Sequence, residues 1–208
     1  MARVDFSLYL VTDRHQTCGR SLHDVIRAAL RAGVRVVQLR EKDLPTRPLL
    51  ALARELTELA RSYRAKVLVN DRADVCLAAG SDGVQLPAAG LPAPASRRVL
   101  GPDRLIGVSA HSAEEAVRAE ADGADFVVLG PIFETPSKHG FGPPIGLSEL
   151  ERARMRCRVP LFGIGGITSH RVRDVLQAGA RGVAVIGSVM AAEDVERASR
   201  ELLNALES

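Results

Sequence analysis

The sequence predicts an α/β fold, a single-domain (β/α)8 barrel of the TIM-barrel type that takes in residues 1–208. Short apolar runs rich in β-branched residues alternate with stretches of helical periodicity along the whole chain. The chain, at 208 residues, has the length of one such barrel. Glycines at positions 33, 80, 123 and 179 each end a predicted helix just before a strand. They recur at every second βα unit, which suits an eightfold barrel better than an open sheet.

Eight strands are predicted from the apolar runs, and each is short enough to be buried on both faces. They are followed by polar or glycine-containing turns, as expected where a strand leads into a helix. The predicted strands are Ser7–Val11, Val34–Leu39, Lys66–Val69, Gly83–Leu86, Leu105–Ser109, Asp125–Leu129, Val159–Ile164 and Gly182–Ile186.

The intervening helices carry start and stop signals. Ser21 is placed to cap the first helix, and Gly33 is placed to end it. Ser112 and Glu115 have the spacing of a capping box, and Thr168 or Ser169 is a candidate cap after the seventh strand. The predicted helices are Ser21–Ala32, Arg47–Tyr63, Ala73–Ala79, Ala95–Leu100, Ser112–Ala121, Leu147–Arg156, Ser169–Ala178 and Ala192–Leu206, with Pro87–Pro94 expected as a loop.

Composition excludes several functional classes. Aromatic residues make up 3% of the chain with no Trp, and the net charge is only +3, so a nucleic-acid partner is not expected. No apolar run approaches the length of about 18 residues that spans a membrane, and no signal peptide is recognisable. Cys18, Cys76 and Cys157 have neither a metal-site spacing nor a disulfide pattern. We therefore expect a cytoplasmic protein without membrane partners. The sequence is compatible with a homo-oligomer and does not determine the oligomeric state.

Two glycine turns near the C-terminus predict a phosphate site. Gly165 and Gly166 follow the seventh strand, and Gly187 and Ser188 follow the eighth. Backbone N–H groups at such turns can approach an anion closely, and the turns after the last two strands of a (β/α)8 barrel often hold phosphate. The alternative interpretation is a pair of ordinary strand–helix turns.

Polar side chains also follow most of the other strands, at the end of the barrel where active sites lie. They are rich in cations, which favours a phosphorylated ligand, and Asp71 is the best candidate to bind Mg²⁺. The 15-residue loop 130–144 is the longest and is expected to be functional. His111 is a candidate acid or base. The set comprises Asp13, Gln38, Arg40, Lys42, Asn70, Asp71, Gln85, Ser109, His111, Thr135, Ser137 and Lys138.

These residues fall in motifs that resemble the family of thiamine-phosphate synthases and thiazole tautomerases. The similarity runs in order along nearly the whole chain. The motifs are Tyr9–Asp13 (YLVTD), Gln38–Lys42 (QLREK), Val69–Arg72 (VNDR), Ile106–His111 (IGVSAH), Leu129–Lys138 (LGPIFETPSK) and Ile164–Ile167 (IGGI).

The resemblance implies a (β/α)8 barrel that joins hydroxymethylpyrimidine diphosphate to thiazole phosphate with Mg²⁺. Arg40, Lys42 and Lys138 are implied to be catalytic. The pyrimidine diphosphate would be bound by Gln38, Arg40, Lys42, Asn70, Ser109 and Lys138, with Asp71 on the metal. The thiazole phosphate would be bound by Thr135, Ser137, Gly165, Gly166, Ile186 and Gly187.

Two departures from the family pattern leave alternatives open. Synthases usually carry a second metal-binding Asp where this chain has Gly90. The segments around Gln85 and His111 look more like the tautomerase branch, yet Pro131 stands where tautomerases have a histidine. A synthase is favoured; a tautomerase, or a regulator that binds thiazole or thiamine phosphate without catalysis, are the alternatives.

Overall fold

The computed structural model describes residues 4–135 and 143–207, which form a closed barrel of eight parallel strands. Each strand pairs with the next along the chain, and the eighth pairs with the first. The predicted fold class is confirmed, and the strand bounds differ from the predictions by up to two residues. The strands are Leu8–Val11 (β1), Val36–Leu39 (β2), Lys66–Asn70 (β3), Gly83–Leu86 (β4), Leu105–Ala110 (β5), Phe126–Leu129 (β6), Leu161–Ile164 (β7) and Gly182–Val185 (β8).

The helices surround the barrel and cover its outer face with apolar side chains. They are Leu22–Ala32 (α1), Thr46–Ser62 (α2), Ala73–Ala79 (α3), Ala93–Leu100 (α4), Ala113–Ala121 (α5), Gly146–Arg156 (α6), Val172–Gln177 (α7), Gly187–Met190 (α8) and Val195–Glu207 (α9).

Four sequence-based expectations for the helices were wrong. Helix α4 begins at Ala93, inside the stretch expected as a loop, because Pro94 fits the first turn of a helix without losing a bond. The predicted helix 169–178 is a 3₁₀ turn, Ser169–Arg171, followed by α7. The single turn α8 was not predicted, and α9 starts at Val195 instead of Ala192.

The capping signals mostly act as predicted. The Ser21 hydroxyl accepts the N–H of Asp24, and the Ser112 hydroxyl accepts the N–H of Glu115. The Glu115 carboxylate, however, accepts the N–H of His111 instead of closing the box on Ser112. Thr168 stands at a cap position but makes no side-chain capping bond. The four recurring glycines have φ of 114°, 68°, 88° and 97°, a conformation that costs a residue with a Cβ atom about 1–2 kcal/mol.

Aromatic rings fill the barrel interior. Phe6 stacks on Phe162 with centroids 5.0 Å apart, and Tyr9 meets Phe126 edge-on at 5.6 Å. Side chains from alternate positions of the strands complete this inner core. The barrel is therefore plugged below its mouth, and a ligand is confined to the end where the strands lead into the α-helices.

Two remaining expectations concern membranes and thiols. None of the helices in the described ranges is long and apolar enough to cross a bilayer. Cys76 and Cys157 are buried and unpaired, and burial raises the pKa of Cys76 to about 11. Since the thiolate is the reactive form, these thiols are inert parts of the core.

Candidate functional site

The floor of the mouth is polar on one side, above the aromatic core. Alternation along β2 to β5 points Gln38, Asn70, Gln85 and Ser109 inward. The Gln38 amide donates to the Tyr9 hydroxyl at 3.3 Å, and the Gln85 amide donates to the Ser109 hydroxyl at 3.1 Å. Gln38 and Gln85 are almost fully buried. These amides and hydroxyls can form hydrogen bonds with the nitrogen atoms and polar substituents at the edge of a heteroaromatic ring.

The opposite side of the floor is apolar. The same alternation along β6, β7 and β8 points Val128, Ile164 and Ile186 inward, against the aromatic core. A ligand lying across the mouth therefore meets hydrogen-bonding groups on one side and aliphatic carbon on the other.

Side-chain charges collect above the polar floor. Arg40 and Lys42 follow β2, and Asn70 and Asp71 lie at the end of β3; these four residues form the charged half of the mouth. Within residues 4–135 and 143–207, Arg40, Lys42 and Asp71 have no ion pair within 4 Å. The nearby Arg40 charge, followed by partial burial, lowers the pKa of Lys42, while Asp71 opposes that shift. The two cations repel each other, so an anion between them is favoured.

Asp71 is placed to bind a cation together with a ligand. Its backbone has a φ of +64°, and its N–H donates to the carbonyl of Gln85 at 2.9 Å. A Cβ on Gly90 would lie 2.8 Å from Asp71 Oδ1, so the Asp71 carboxylate packs directly against the backbone at position 90. The described parts of the chain contain no group of three or more His, Cys, Asp or Glu residues arranged to hold a metal ion. One carboxylate, the Asn70 amide and ligand oxygens fit Mg²⁺, which often retains water and binds through substrate phosphates.

The other side of the mouth offers backbone N–H groups instead of charged side chains. We call it the glycine half; it consists of Gly165, Gly166, Ile186 and Gly187. Gly165 and Gly166 have φ of 100° and 63°. Their N–H groups have no acceptor among the residues described. Gly187 begins α8, whose first N–H groups also lack intrahelical partners. These turns can therefore cradle a phosphate with N–H donors.

The glycine half is braced from outside. The N–H of Phe133 donates to the carbonyl of Gly165 at 3.1 Å, and the guanidinium of Arg171 donates to the carbonyl of Gly166 at 2.7 Å. Arg171 also lies 4.5 Å from the centre of the Phe133 ring. The Ser188 hydroxyl donates to the carbonyl of Ile167, joining the two turns. Ser188 is thereby used in bracing the turns.

The structure places most of the predicted site residues around one mouth. Thr135 is the last residue of the first described range. In the chain it lies after the residues of the charged half and before those of the glycine half. Ser137, Lys138 and the neighbouring His139 lie outside the described residues. Asp13 follows β1, as the sequence predicted, and its carboxylate accepts the N–H of His15 and the Gln16 amide within its own turn.

His111 follows β5 and has a fixed tautomer. Its Nδ1 lies 2.6 Å from the carbonyl of Gly130, which can only accept, so Nδ1 carries the proton when the ring is neutral. Nε2 is then left as a basic nitrogen. The residue is exposed.

Sequence reasoning missed several residues that organise the mouth. Tyr9, Thr12 and Glu41 lie within the motifs that carry the family resemblance, but the sequence assigned no role to them or to Gln16. Their contacts across the barrel join residues 27 or more positions apart. The position of Glu41 between Arg40 and Lys42 was a further hint, because a carboxylate between two site cations needs a partner of its own.

Comparison with known proteins identifies the family. The family model described as thiamine monophosphate synthase matches residues 8–189. The chain belongs to this family. A putative thiamine-phosphate synthase of Geobacter sulfurreducens is 50% identical over 98% of this chain and 95% of its own length. A thiamine-phosphate synthase of Roseiflexus castenholzii is 46% identical over 94% of this chain and 86% of its own.

A solved structure shows the same fold. The thiamine phosphate pyrophosphorylase from Pyrococcus furiosus superposes with a TM-score of 0.88 at 38% identity, covering 97% of this chain and 95% of its own. The resemblance of the motifs to the thiamine monophosphate synthase family is therefore confirmed, and the barrel geometry agrees with a solved relative.

Proposed function

We propose that the chain is a thiamine-phosphate synthase, a transferase of thiamine biosynthesis. It would couple hydroxymethylpyrimidine diphosphate with thiazole phosphate to give thiamine phosphate and diphosphate. The observation that carries this proposal is the division of the mouth. Among the described residues, one side has cations without an ion pair and one carboxylate, and the other has glycine N–H groups without acceptors. Two phosphorylated substrates of different charge need two such sites.

The charged half would bind the diphosphate. The planar Arg40 guanidinium can hold two phosphate oxygens at once, while the Lys42 ammonium acts as a compact charge. Lys138 is proposed to join them from the neighbouring loop. Gln38, Asn70 and Ser109 would bind the pyrimidine diphosphate, with the Gln38 and Asn70 amides against the ring.

These groups suit a displacement in which the bond to the leaving diphosphate breaks early. Negative charge grows on the diphosphate while the pyrimidine methylene becomes cationic, so Arg40, Lys42 and Lys138 bind more strongly as the reaction proceeds. The thiazole nitrogen then donates its lone pair to the methylene carbon. No proton needs to be removed, which agrees with a mouth whose charged half contains no histidine.

Asp71, assisted by Asn70, would hold Mg²⁺ against the diphosphate oxygens. The ion would neutralise part of the charge on the leaving group. Because Gly90 supplies no second carboxylate, one protein carboxylate and the substrate oxygens would hold the ion.

The glycine half would bind the thiazole phosphate. Thr135 and Ser137 are proposed to contribute hydroxyls to it, and Gly165, Gly166, Ile186 and Gly187 would contribute backbone. The apolar floor from Val128, Ile164 and Ile186 suits the body of a thiazole ring. A cytoplasmic location and a homo-oligomeric state stay predictions from the sequence.

Diphosphate release by the purified protein tests this function. With both substrates, release should require Mg²⁺ and fall to background in Asp71→Ala. Asp103→Ala, an exposed aspartate in the loop between α4 and β5 at the opposite end of the barrel, is the matched control and should keep wild-type turnover. Absence of release by wild type under all conditions would contradict the synthase.

A tautomerase is the second candidate because the basic Nε2 of His111 stands at the mouth. Metal-free isomerisation of a thiazole phosphate that disappears in His111→Ala would support it. Thiazole phosphate that raises the Tm with no turnover of either kind would support a binding protein.

A further inference from the structure

A buried carboxylate, Glu41, stands in the sequence between the two cations of the charged half. Glu41 separates Arg40 from Lys42 in the chain, yet its side chain is only 2% exposed. Its Oε1 accepts from the Thr12 hydroxyl at 2.6 Å, and both oxygens accept from the N–H of Arg14 at 3.2 Å. The Arg14 guanidinium donates to Oε2 at 3.2 Å. The charge is therefore compensated from the β1 side, away from the ligand.

Thr12 connects this carboxylate to the backbone of Arg40. Its hydroxyl donates to Glu41 and accepts the N–H of Arg40 at 2.9 Å. The N–H of Thr12 donates to the carbonyl of Gln38 at 2.9 Å, so the pairing of β1 with β2 extends beyond the strands. Thr12 is fully buried, and both the donor and one acceptor site of its hydroxyl are used.

The same segment, residues 12–16, also reaches the glycine half. The Gln16 amide donates to Asp13 at 2.7 Å, and its Oε1 would lie 3.0 Å from a Cβ placed on Gly187. Arg14 is held at its outer end by the Asp43 carboxylate. The segment is therefore hydrogen-bonded to the Arg40 backbone and lies beside the turn after β8.

We infer that Glu41 and Thr12 are positioning residues for the diphosphate site, an inference that rests on the proposed function. The acceptor-only Glu41 carboxylate would repel a diphosphate, and it is covered. Its effect is transmitted through the Thr12 hydroxyl to the Arg40 N–H, which fixes where the Arg40 and Lys42 side chains begin. Two flexible cations need such an anchor to meet one diphosphate in one geometry.

Thr12→Val tests the inference directly because it removes the hydroxyl and preserves the shape. We expect kcat/KM for the pyrimidine diphosphate to fall about tenfold or more, with KM for thiazole phosphate unchanged. Thr12→Ser keeps the hydroxyl and should restore kcat/KM. Thr57→Val is the matched control: Thr57 is 2% exposed, its hydroxyl lies 2.8 Å from Ser81 Oγ, and α2 carries it outside the barrel. It should lower the Tm without changing either substrate constant.

Glu41→Gln supplies the second test. A glutamine has one acceptor oxygen for the donors that now share two, so its NH₂ must face a donor. We expect a loss similar to that of Thr12→Val, and a double variant little worse than either single variant, because both interrupt one chain of bonds. Equal loss for both substrates that follows the Tm would overturn the inference, as would wild-type kinetics in Thr12→Val.

A wrong functional proposal can be distinguished from a wrong positioning role, because wild-type protein would then release no diphosphate. The positioning role is then measured by calorimetric titration of inorganic diphosphate with Mg²⁺. Thr12→Val should bind it about tenfold more weakly than wild type and Thr57→Val equally well. Equal affinity in Thr12→Val and wild type would refute the positioning role.

Discussion

The two halves of the mouth bind anions by different means. The charged half uses long side chains whose charges are unpaired in the described structure, and the glycine half uses backbone N–H groups at fixed positions. Side chains must be positioned by neighbours such as Thr12 and Glu41, whereas the backbone of the glycine turn is held by hydrogen bonds from Phe133 and Arg171. Substitutions in the two halves should therefore fail in different ways.

The largest effect is expected in the charged half. Arg40→Ala should lower kcat/KM for the pyrimidine diphosphate by about 10²–10³-fold, because a donor to developing charge is lost. Arg40→Lys should recover part of this, since charge returns without the two-pronged geometry. Steady-state kinetics measure both. Arg98→Ala, an exposed arginine of α4, is the control. A loss below about threefold in Arg40→Ala would contradict the assignment.

Gly166→Ala should damage the other half. The new Cβ would lie 2.4 Å from the carbonyl of Glu134 and 2.9 Å from Phe133 Cβ, so the turn must move. We expect KM for thiazole phosphate to rise about tenfold and the Tm to fall by about 2–8 °C. Gly123→Ala is a matched control with φ of +88° and no atom within 4 Å. It should lower the Tm and leave both KM values unchanged; unchanged KM in Gly166→Ala would exclude this turn from the site.

The pH dependence should differ between free and bound enzyme. Arg40 and partial burial lower the pKa of Lys42 below its ordinary 10.5, so the charged form is lost as pH rises through that lowered value. The kcat/KM for pyrimidine diphosphate should therefore have an alkaline limb below pH 10.5. The negative charge of a bound diphosphate offsets the effect of Arg40 on the pKa of Lys42. The alkaline decline of kcat should therefore lie at higher pH than that of kcat/KM. Lys42→Arg should abolish this limb because a guanidinium stays charged; a limb that persists belongs to another group.

Gln85→Leu should have the smallest effect and separate stability from activity. Gln85 Oε1 is buried without a partner in the described structure, an arrangement that costs about 1–3 kcal/mol. We expect the Tm to hold or rise by up to about 4 °C, while turnover falls a few-fold because Ser109 loses its orienting amide. Calorimetry and kinetics of one preparation check both, and a Tm that falls would mean that a further partner satisfies Oε1.

The sequence predicted the barrel well because its signals are local. Strand runs, helix caps and the glycines at 33, 80, 123 and 179 depend on neighbouring residues and dihedral angles. Arg40, Lys42 and Asp71 were found for the same reason, since each directly follows a strand. The Thr12–Glu41 contact joins residues 29 positions apart, and the bracing of Gly166 by Arg171 depends on how two loops meet. Residue spacing carries no information on either contact.

The helix bounds that failed also have a physical cause. The predicted helix 169–178 begins as a 3₁₀ turn, Ser169–Arg171, an arrangement that is frequent at helix N-termini and too short to show a periodicity of its own. Helix α8 has four residues, too few to show helical periodicity.

The most direct measurement of the two-site account is a crossed titration. Inorganic diphosphate with Mg²⁺, and thiazole phosphate, would each be titrated calorimetrically into Arg40→Ala and Gly166→Ala. The account predicts that Arg40→Ala loses affinity for diphosphate and keeps it for thiazole phosphate, and that Gly166→Ala shows the reverse. Loss of both ligands in either folded variant, or loss of thiazole phosphate in Arg40→Ala, would show that the two halves do not bind different substrates.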